Sequence, residues 1–282
     1  MLALLFIICL GSGIYILTGG QDKQIHLFNS QTGSLISTYT GHSWPIHDLA
    51  ISTTTTTFLS GGGDRSLFLW DISSHRTIRK FPGHSHRINA VCYGANDSIG
   101  ASASYDRSLR LWDLKSSSRF PLQILDDSQD SVTAVQINGH VILVGSVDGH
   151  VRIYDLRMGK LIVDNIQEPI ISVCFTEDRL AYLASSLDST IRLLDTDTGA
   201  LLNEFKGHRN SQYQIRSTLF NNDAQVASGS EGGELFLWDL VTAEIRAKLV
   251  FHQKSITSVS SNRTSLLTCS LDGTSAIWTN VV

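Results

Sequence analysis

Histidine, a hydroxyl residue, aspartate and tryptophan recur in this chain in a fixed order: His42, Ser60, Asp64 and Trp70; His84, Ser102, Asp106 and Trp112; His252, Thr268, Asp272 and Trp278. A hydroxyl, an imidazole and a carboxylate are the parts of a nucleophilic hydrolase, where the carboxylate orients the histidine and the histidine takes the proton of the attacking hydroxyl. Three copies in one chain argue against that use, because a hydrolase needs one exposed hydroxyl beside an oxyanion hole and a substrate cleft. The same groups can instead form a buried chain of hydrogen bonds. The carboxylate accepts from the imidazole, the imidazole meets the hydroxyl, and the hydroxyl meets the indole N–H, so that each polar group has the partner burial demands. The expected role is structural, with no catalytic residue. No metal site is expected either, since histidines of separate repeats cannot converge on one ion, and no cofactor is called for. Gly61-Gly62-Gly63 has the look of a phosphate cradle, yet it precedes a strand rather than opening a helix, and reads as a turn.

The elements that must position these groups are short strands. Aligning on Trp112 places Phe28, Trp70, Tyr154, Leu194, Trp238 and Trp278 at successive steps of 42, 42, 42, 40, 44 and 40 residues. A period of about 40 to 45 residues ending in Trp-Asp is the pattern of a four-stranded propeller blade. Turn residues every ten positions or so, without helical periodicity, complete an all-β reading. The predicted architecture is a single seven-bladed β-propeller over residues 1–282, with repeats at about 1–40, 41–82, 83–125, 126–166, 167–206, 207–250 and 251–282. The first and last blades are expected to be incomplete. Repeats four and five keep turn aspartates, Asp148 and Asp188, but lose the Gly-His pair and carry Tyr154 and Leu194 in place of Trp. Repeat six regains Gly207-His208 and Trp238, with Gly232 where the turn aspartate should stand.

A net charge of -4 offers little electrostatic drive toward nucleic acid, so direct binding to it is not expected. Charged residues make up only 17% of the chain, as buried strands require. Cys9, Cys92, Cys174 and Cys269 fall in or beside strands of different repeats without Cys-x-x-Cys spacing, the pattern of buried free thiols in a reducing compartment. Met1 to Leu10 is uniformly apolar. Its length suits a signal-peptide core, but no Lys or Arg precedes it and no small-x-small cleavage site follows. Extended to Leu17 it is marginal for a membrane span. The repeat offers a different role, a first strand at about Leu4 to Cys9. No membrane association is expected unless Met1 to Leu10 is an anchor.

If the blades form a ring, the loops before each first strand and between second and third strands crowd one rim. Those loops carry Trp44, His86, Tyr105, Asp130, Glu168, Tyr213, Glu231 and Lys254. Aromatic residues on exposed loops dominate interface energetics, and Trp44, Tyr105 and Tyr213 together favour a protein partner over a small molecule.

The repeat as a whole resembles the WD-repeat family. Gly145 to Leu161 (GSVDGHVRIYDLRMGKL), Ser185 to Asn210 and Gly61 to Asp71 are similar to its mitogen-activated protein kinase organizer branch. The most specific stretches are Tyr154 to Gly159 and the Leu194-Asp195 substitution for Trp-Asp. The resemblance covers about Tyr15 to Asp239. It implies a non-catalytic, cytoplasmic and nuclear scaffold, a monomer within larger complexes of kinase-cascade components; the alternative it implies is a spliceosomal subunit acting in pre-mRNA splicing. Members of the family begin with a strand that completes the last blade. Its absence here predicts a three-stranded final blade with an exposed edge, or displacement of Met1 to Leu10 to cover that edge.

Overall fold

In the second strand of each repeat, such as Thr57–Gly62 or Ala181–Ser186, nearly every residue is buried, whereas outermost strands such as Arg76–Pro82 alternate between more and less exposed residues. The first pattern belongs to a strand covered on both faces, the second to a strand with one face in water. The computed structural model describes residues 4–9, 15–262 and 265–279. It arranges them in seven antiparallel sheets, each built from consecutive strands.

Blade 1 holds β1 (Leu4–Cys9), β2 (Tyr15–Gly20), β3 (Gln24–Asn29) and β4 (Leu35–Thr40); blade 2 holds β5 (Ile46–Ile51), β6 (Thr57–Gly62), β7 (Ser66–Asp71) and β8 (Arg76–Pro82). Blade 3 follows with β9 (Ile88–Tyr93), β10 (Ile99–Ser104), β11 (Leu109–Asp113) and the short β12 (Gln123–Leu125). Blade 4 contains β13 (Val132–Asn138), β14 (Val141–Ser146), β15 (His150–Asp155) and β16 (Lys160–Asn165). Blade 5 contains β17 (Ile170–Phe175), β18 (Ala181–Ser186), β19 (Thr190–Asp195) and β20 (Leu201–Phe205). Blade 6 comprises β21 (Ser217–Phe220), β22 (Gln225–Gly229), β23 (Glu234–Asp239) and β24 (Ile245–Val250), and blade 7 has β25 (Ile256–Ser261), β26 (Ser265–Ser270) and β27 (Ser275–Thr279).

The expectation of an incomplete first blade is corrected: blade 1 has four strands, because Leu4–Cys9 pairs antiparallel with Tyr15–Gly20. β1 also lies against β5 of blade 2 and against β25 and β26 of blade 7, which closes the ring. The segment is therefore a strand of its own blade and does not cover blade 7; Met1 to Ala3 and Leu10 lie outside the described residues. Blade 7 has three strands among the described residues, and its last, β27, presents an alternately exposed face. The apolar core sits between neighbouring sheets. Leu59 and Leu67 of blade 2, for example, pack with Ile88, Val91 and Trp112 of blade 3, all buried. Each such side chain contributes roughly 1.5–3 kcal/mol relative to leaving it exposed. Among the described residues no helix is long and apolar enough to cross a membrane.

Two of the three consecutive glycines are strand residues rather than turn residues. A Cβ on Gly61 would come within 2.6 Å of Ile88 Cγ2, and one on Gly62 within 2.2 Å of the Pro45 carbonyl oxygen. They are glycines because blade 3 on one side and a neighbouring loop on the other leave no room for a side chain. The pairing of first and second strands also slips by a residue near the start of the first strand in six blades, for instance between Ile46 and Asp48. Such bulges turn the loop ahead of the strand toward the rim. Blade 6 shows no slip, because β21 begins only at Ser217 and the residues ahead of it leave the sheet altogether.

Candidate functional site

The strand–turn–strand unit of blade 3 shows how the recurrent side chains meet. Trp112 Nε1–H donates to Ser102 Oγ at 2.8 Å, Ser102 Oγ lies 2.8 Å from His84 Nε2, and His84 Nδ1 is 2.9 Å from Asp106 Oδ2. With the His84 Nδ1–H donating to Asp106, Nε2 is left to accept the serine proton, and a neutral imidazole satisfies the whole chain. Asp106 also accepts the amide of Ser85 at 2.9 Å, which ties the loop ahead of β9 to the turn between β10 and β11. Burial disfavours the Asp106 carboxylate, but the bonds from His84 and Ser108 outweigh it and hold the group well below the usual carboxylate range. Blade 2 repeats the arrangement with Trp70, Ser60, His42 and Asp64. Blade 7 varies it. Trp278 Nε1–H reaches Thr268 Oγ1 at 3.0 Å and His252 Nε2 lies 2.8 Å from the same hydroxyl, while His252 Nδ1 meets Thr274 Oγ1 at 2.9 Å, with Asp272 behind at 3.5 Å.

The hydroxyls of Ser60, Ser102 and Thr268 are fully buried. A nucleophile must reach substrate, and these are sealed and already bonded at both ends; the geometry suits cross-linking a blade and gives no route for acyl transfer. The glycine of each Gly-His pair has a physical reason too. A Cβ on Gly41 or Gly83 would sit 3.0 Å from the Cη2 edge of Trp70 or Trp112, so the indole closes over a residue with no side chain.

Sequence reasoning missed what replaces histidine where it is lost. In blades 4 and 5 an arginine on the third strand takes over. Arg152 Nη1 donates to Ser146 Oγ and Nη2 to Asp148 Oδ2, both at 2.8 Å; Arg192 reaches Ser186 at 2.7 Å and Asp188 at 2.6 Å. In blade 1 His26 fills the same strand position and lies 2.9 Å from the turn carboxylate of Asp22. The signal was legible: a basic or imidazole side chain stands two residues before Phe28, Tyr154 and Leu194 in the three repeats that lack the Gly-His histidine.

Blade 6 solves the problem differently. Glu231 accepts the amides of Ser211 and Gln212, each at 2.6 Å, and pairs with Arg209 at 3.3 Å. It stands in for the missing turn aspartate, with its side chain only 8% exposed. Its placement among partner-binding rim residues is therefore corrected, because the carboxylate faces its own loop. His208 in turn has no acidic hydrogen-bond partner among the described residues. Both its ring nitrogens and both side-chain polar atoms of Asn210 are buried without a hydrogen-bond partner, and the Trp238 indole donates to the Lys206 carbonyl instead of to a serine.

This buried imidazole sets a pH dependence. Burial pulls the His208 pKa from 6.5 down to about 4 against the attraction of Asp188. Burial and then Arg87 bring His47 to about 4 as well. The unfolded chain binds more protons than the folded one between these values. Their contribution to stability is thus fully present above pH 6.5 and is lost as pH falls toward 4. Urea midpoints should fall across that window, and His208→Phe should flatten the fall by an amount corresponding to up to about 3 kcal/mol. An unchanged slope in the variant would contradict the assignment.

The stretch ahead of β21 crosses the central channel. Gln214 Nε2 donates to the Thr133 carbonyl of blade 4 at 2.8 Å, and Arg216 Nη2 pairs at 2.5 Å with Asp48 of blade 2, which is wholly buried. Beyond this bridge lies a cavity of about 540 Å³ lined by first-strand residues, Cys92 and Cys174 among them. Those two thiols are pushed up to about 11 by burial, so they are protonated and inert at neutral pH.

On the rim where the first strands begin, three of the predicted residues converge. Trp44, His86 and Tyr105 line one hollow of about 480 Å³ between blades 2 and 3, together with His47, Arg65 and Arg87. Trp44 is 61% exposed and Tyr105 49% exposed. Asp130, Glu168, Tyr213 and Lys254 are exposed along the same rim but belong to blades 4, 5, 6 and 7, and the hollow does not include them. Tyr213 stands four residues before β21 rather than two, since that strand starts late.

A closed ring of seven antiparallel sheets whose third strands end on Trp-Asp or its variants is a WD-repeat β-propeller, and residues 244–279 match the model of the WD domain, G-beta repeat. Residues 14–223 match the family described as Nucleolar protein 10-like, N-terminal domain. The chain is 57% identical over 237 residues to WD repeat domain-containing protein 83 of Rattus norvegicus, covering 84% of this chain and 75% of the relative. An uncharacterized WD repeat-containing protein of Schizosaccharomyces pombe is 54% identical over 229 residues, 81% of this chain and 77% of the relative. The Dictyostelium discoideum homolog of WD repeat domain-containing protein 83 is 34% identical over 296 residues, 94% and 91% of the two chains. The chain belongs to the family of WD repeat domain-containing protein 83.

Proposed function

We propose that this chain is a non-catalytic scaffold, cytoplasmic and nuclear, that assembles protein complexes through the rim formed by the loops ahead of the first strands. The observation that carries this reading is the pair of exposed aromatics, Trp44 and Tyr105, flanking one hollow on the rim, with a third exposed aromatic, Tyr213, in the loop of blade 6. Large, stiff aromatic side chains bind partners at low entropic cost, and the ring beneath holds them in place. Kinase-cascade components are the proposed cargo, supported by the likeness of Gly145 to Leu161 and Ser185 to Asn210 to the mitogen-activated protein kinase organizer branch. A second reading, a subunit of the spliceosome, has the same resemblance behind it.

Affinity purification of the tagged chain, compared with a variant carrying Trp44→Ala, Tyr105→Ala and Tyr213→Ala, tests the rim. The three side chains are exposed, so the variant should unfold within about 1 kcal/mol of the parent and should lose most of its partners. Retention of every partner would overturn the rim assignment. Sedimentation of the parent with kinase complexes or with small nuclear ribonucleoprotein particles separates the two readings of the cargo.

A further inference from the structure

The hollow between Trp44 and Tyr105 carries more than apolar surface. Two guanidinium groups reach it, Arg65 from the turn between β6 and β7 and Arg87 from the residue ahead of β9, and no carboxylate lines it. Elsewhere in the molecule the arginines of the networks are matched, Arg152 with Asp148 and Arg216 with Asp48. Arg65 and Arg87 have no ion-pair partner among the described residues. On a chain of net charge -4 this is a local inversion of sign. The Arg87 group is also fixed in place. The Arg87 guanidinium lies 4.9 Å from the centre of the Tyr105 ring, and the His86 and Tyr105 rings meet edge-on at 5.8 Å. Arg65 sits on the turn, whose backbone takes φ 58° there, and its side chain is exposed. Trp44 rests on Gly63, where a Cβ would come within 2.7 Å of the tryptophan's own Cβ. A guanidinium stacked on a ring keeps its N–H edge open to an acceptor, and a planar fork pairs best with carboxylates.

We infer that this hollow takes an acidic peptide segment of a partner protein, in which Asp or Glu residues flank a bulky apolar side chain: the carboxylates meet Arg65 and Arg87, and the apolar residue sits against Trp44. The inference rests on the rim being the binding surface and adds the chemistry of what it binds. Carboxylates are favoured over a single phosphate because the two guanidinium groups come from different blades and one of them is committed to the face of Tyr105. That arrangement suits two acceptors spaced along an extended chain. Burial and Arg87 pull the pKa of His47, also in the lining, down to about 4, so at pH 7 it is neutral and the two arginines supply the positive charge.

A library of random dodecapeptides displayed on phage, selected against the full chain, tests this without presupposing a partner. The recovered peptides should be rich in Asp and Glu around one aromatic or aliphatic residue. A fluorescein-labelled consensus peptide should bind at least tenfold more weakly to Arg65→Gln/Arg87→Gln and to Trp44→Ala, and more weakly as salt rises. Recovery of neutral or basic peptides, recovery of nothing above background, binding that requires a phosphorylated residue, or an affinity unchanged in the Arg65→Gln/Arg87→Gln protein would each overturn the inference. These failures are distinguishable from failure of the scaffold reading. If the rim triple variant loses its cellular partners while the peptide result is negative, only the acidic chemistry falls; if the partners are also unaffected, both fall.

Discussion

Replacement of Trp112 by Ala should lower the free energy of unfolding by about 3–5 kcal/mol, the range for emptying a large buried aromatic site. The indole is completely buried against Phe81, at 5.6 Å between ring centres, and its Cη2 edge rests over Gly83. Its loss also leaves Ser102 Oγ without the N–H it accepts. Two companion substitutions separate packing from hydrogen bonding. Ser102→Ala keeps the indole but orphans both the Trp112 N–H and His84 Nε2, and should cost about 2 kcal/mol. Ser228→Ala, at the matching position of blade 6, should cost about 1 kcal/mol or less, because Trp238 donates to the Lys206 carbonyl instead. Urea unfolding of the three variants checks the order. Equal costs for the two serine substitutions would show that the hydrogen-bond chain contributes nothing beyond shape.

The second large effect lies in the channel. Arg216→Met should be more damaging than Asp48→Asn, because Asp48 has no exposure at all while the Arg216 side chain is 25% exposed and can turn to water. Removing the arginine strands a buried carboxylate with, among the described residues, the amides of Leu49 and Val91 as its remaining donors. Breaking a buried pair in this way costs about 3–5 kcal/mol. The double variant should regain much of that, since neither charge is then left alone, and the cycle should show a coupling of about 1–3 kcal/mol. Strict additivity of the two single changes would mean that the pair across the ring does not hold blade 6 to blade 2. Loss of cooperativity in the Arg216→Met transition would place the bridge at the centre of ring integrity.

The repeat itself was legible because hydrogen bonding imposes it: every blade needs a turn acceptor, and in six repeats that acceptor is an aspartate six residues before Trp or its substitute. Leu4–Cys9 was placed as a strand by spacing alone, although its uniformly apolar residues lack alternation. That lack fits its surroundings, since the strand lies among β5, β25 and β26. Glu231 was misread because its side chain, one residue earlier and one methylene longer than an aspartate, reaches the same loop amides from a shifted position. Arg152, Arg192 and His26 went unnoticed because reading by position looks for histidine in the loop, whereas the turn carboxylate accepts a donor from any direction. The channel bridge had a trace in the step of 44 residues into Trp238, the longest of the six. Length alone, however, does not say that the extra residues turn inward. The hollow between blades 2 and 3 joins loop residues of two consecutive repeats, and only the packing of one blade against the next brings them together.

The central claim is a division of labour, in which the Ser-His-Asp-Trp side chains hold the blades and the rim aromatics meet partners. It is tested most directly by measuring the unfolding midpoint and the partners co-purified in the cold for two variants, Ser102→Ala and Trp44→Ala/Tyr105→Ala. The first should unfold earlier yet keep its partners. The second should keep the parental midpoint and lose them. Partner loss on removal of the buried Ser102 hydroxyl, with an unchanged midpoint, would contradict the account and return that hydroxyl to the list of functional groups.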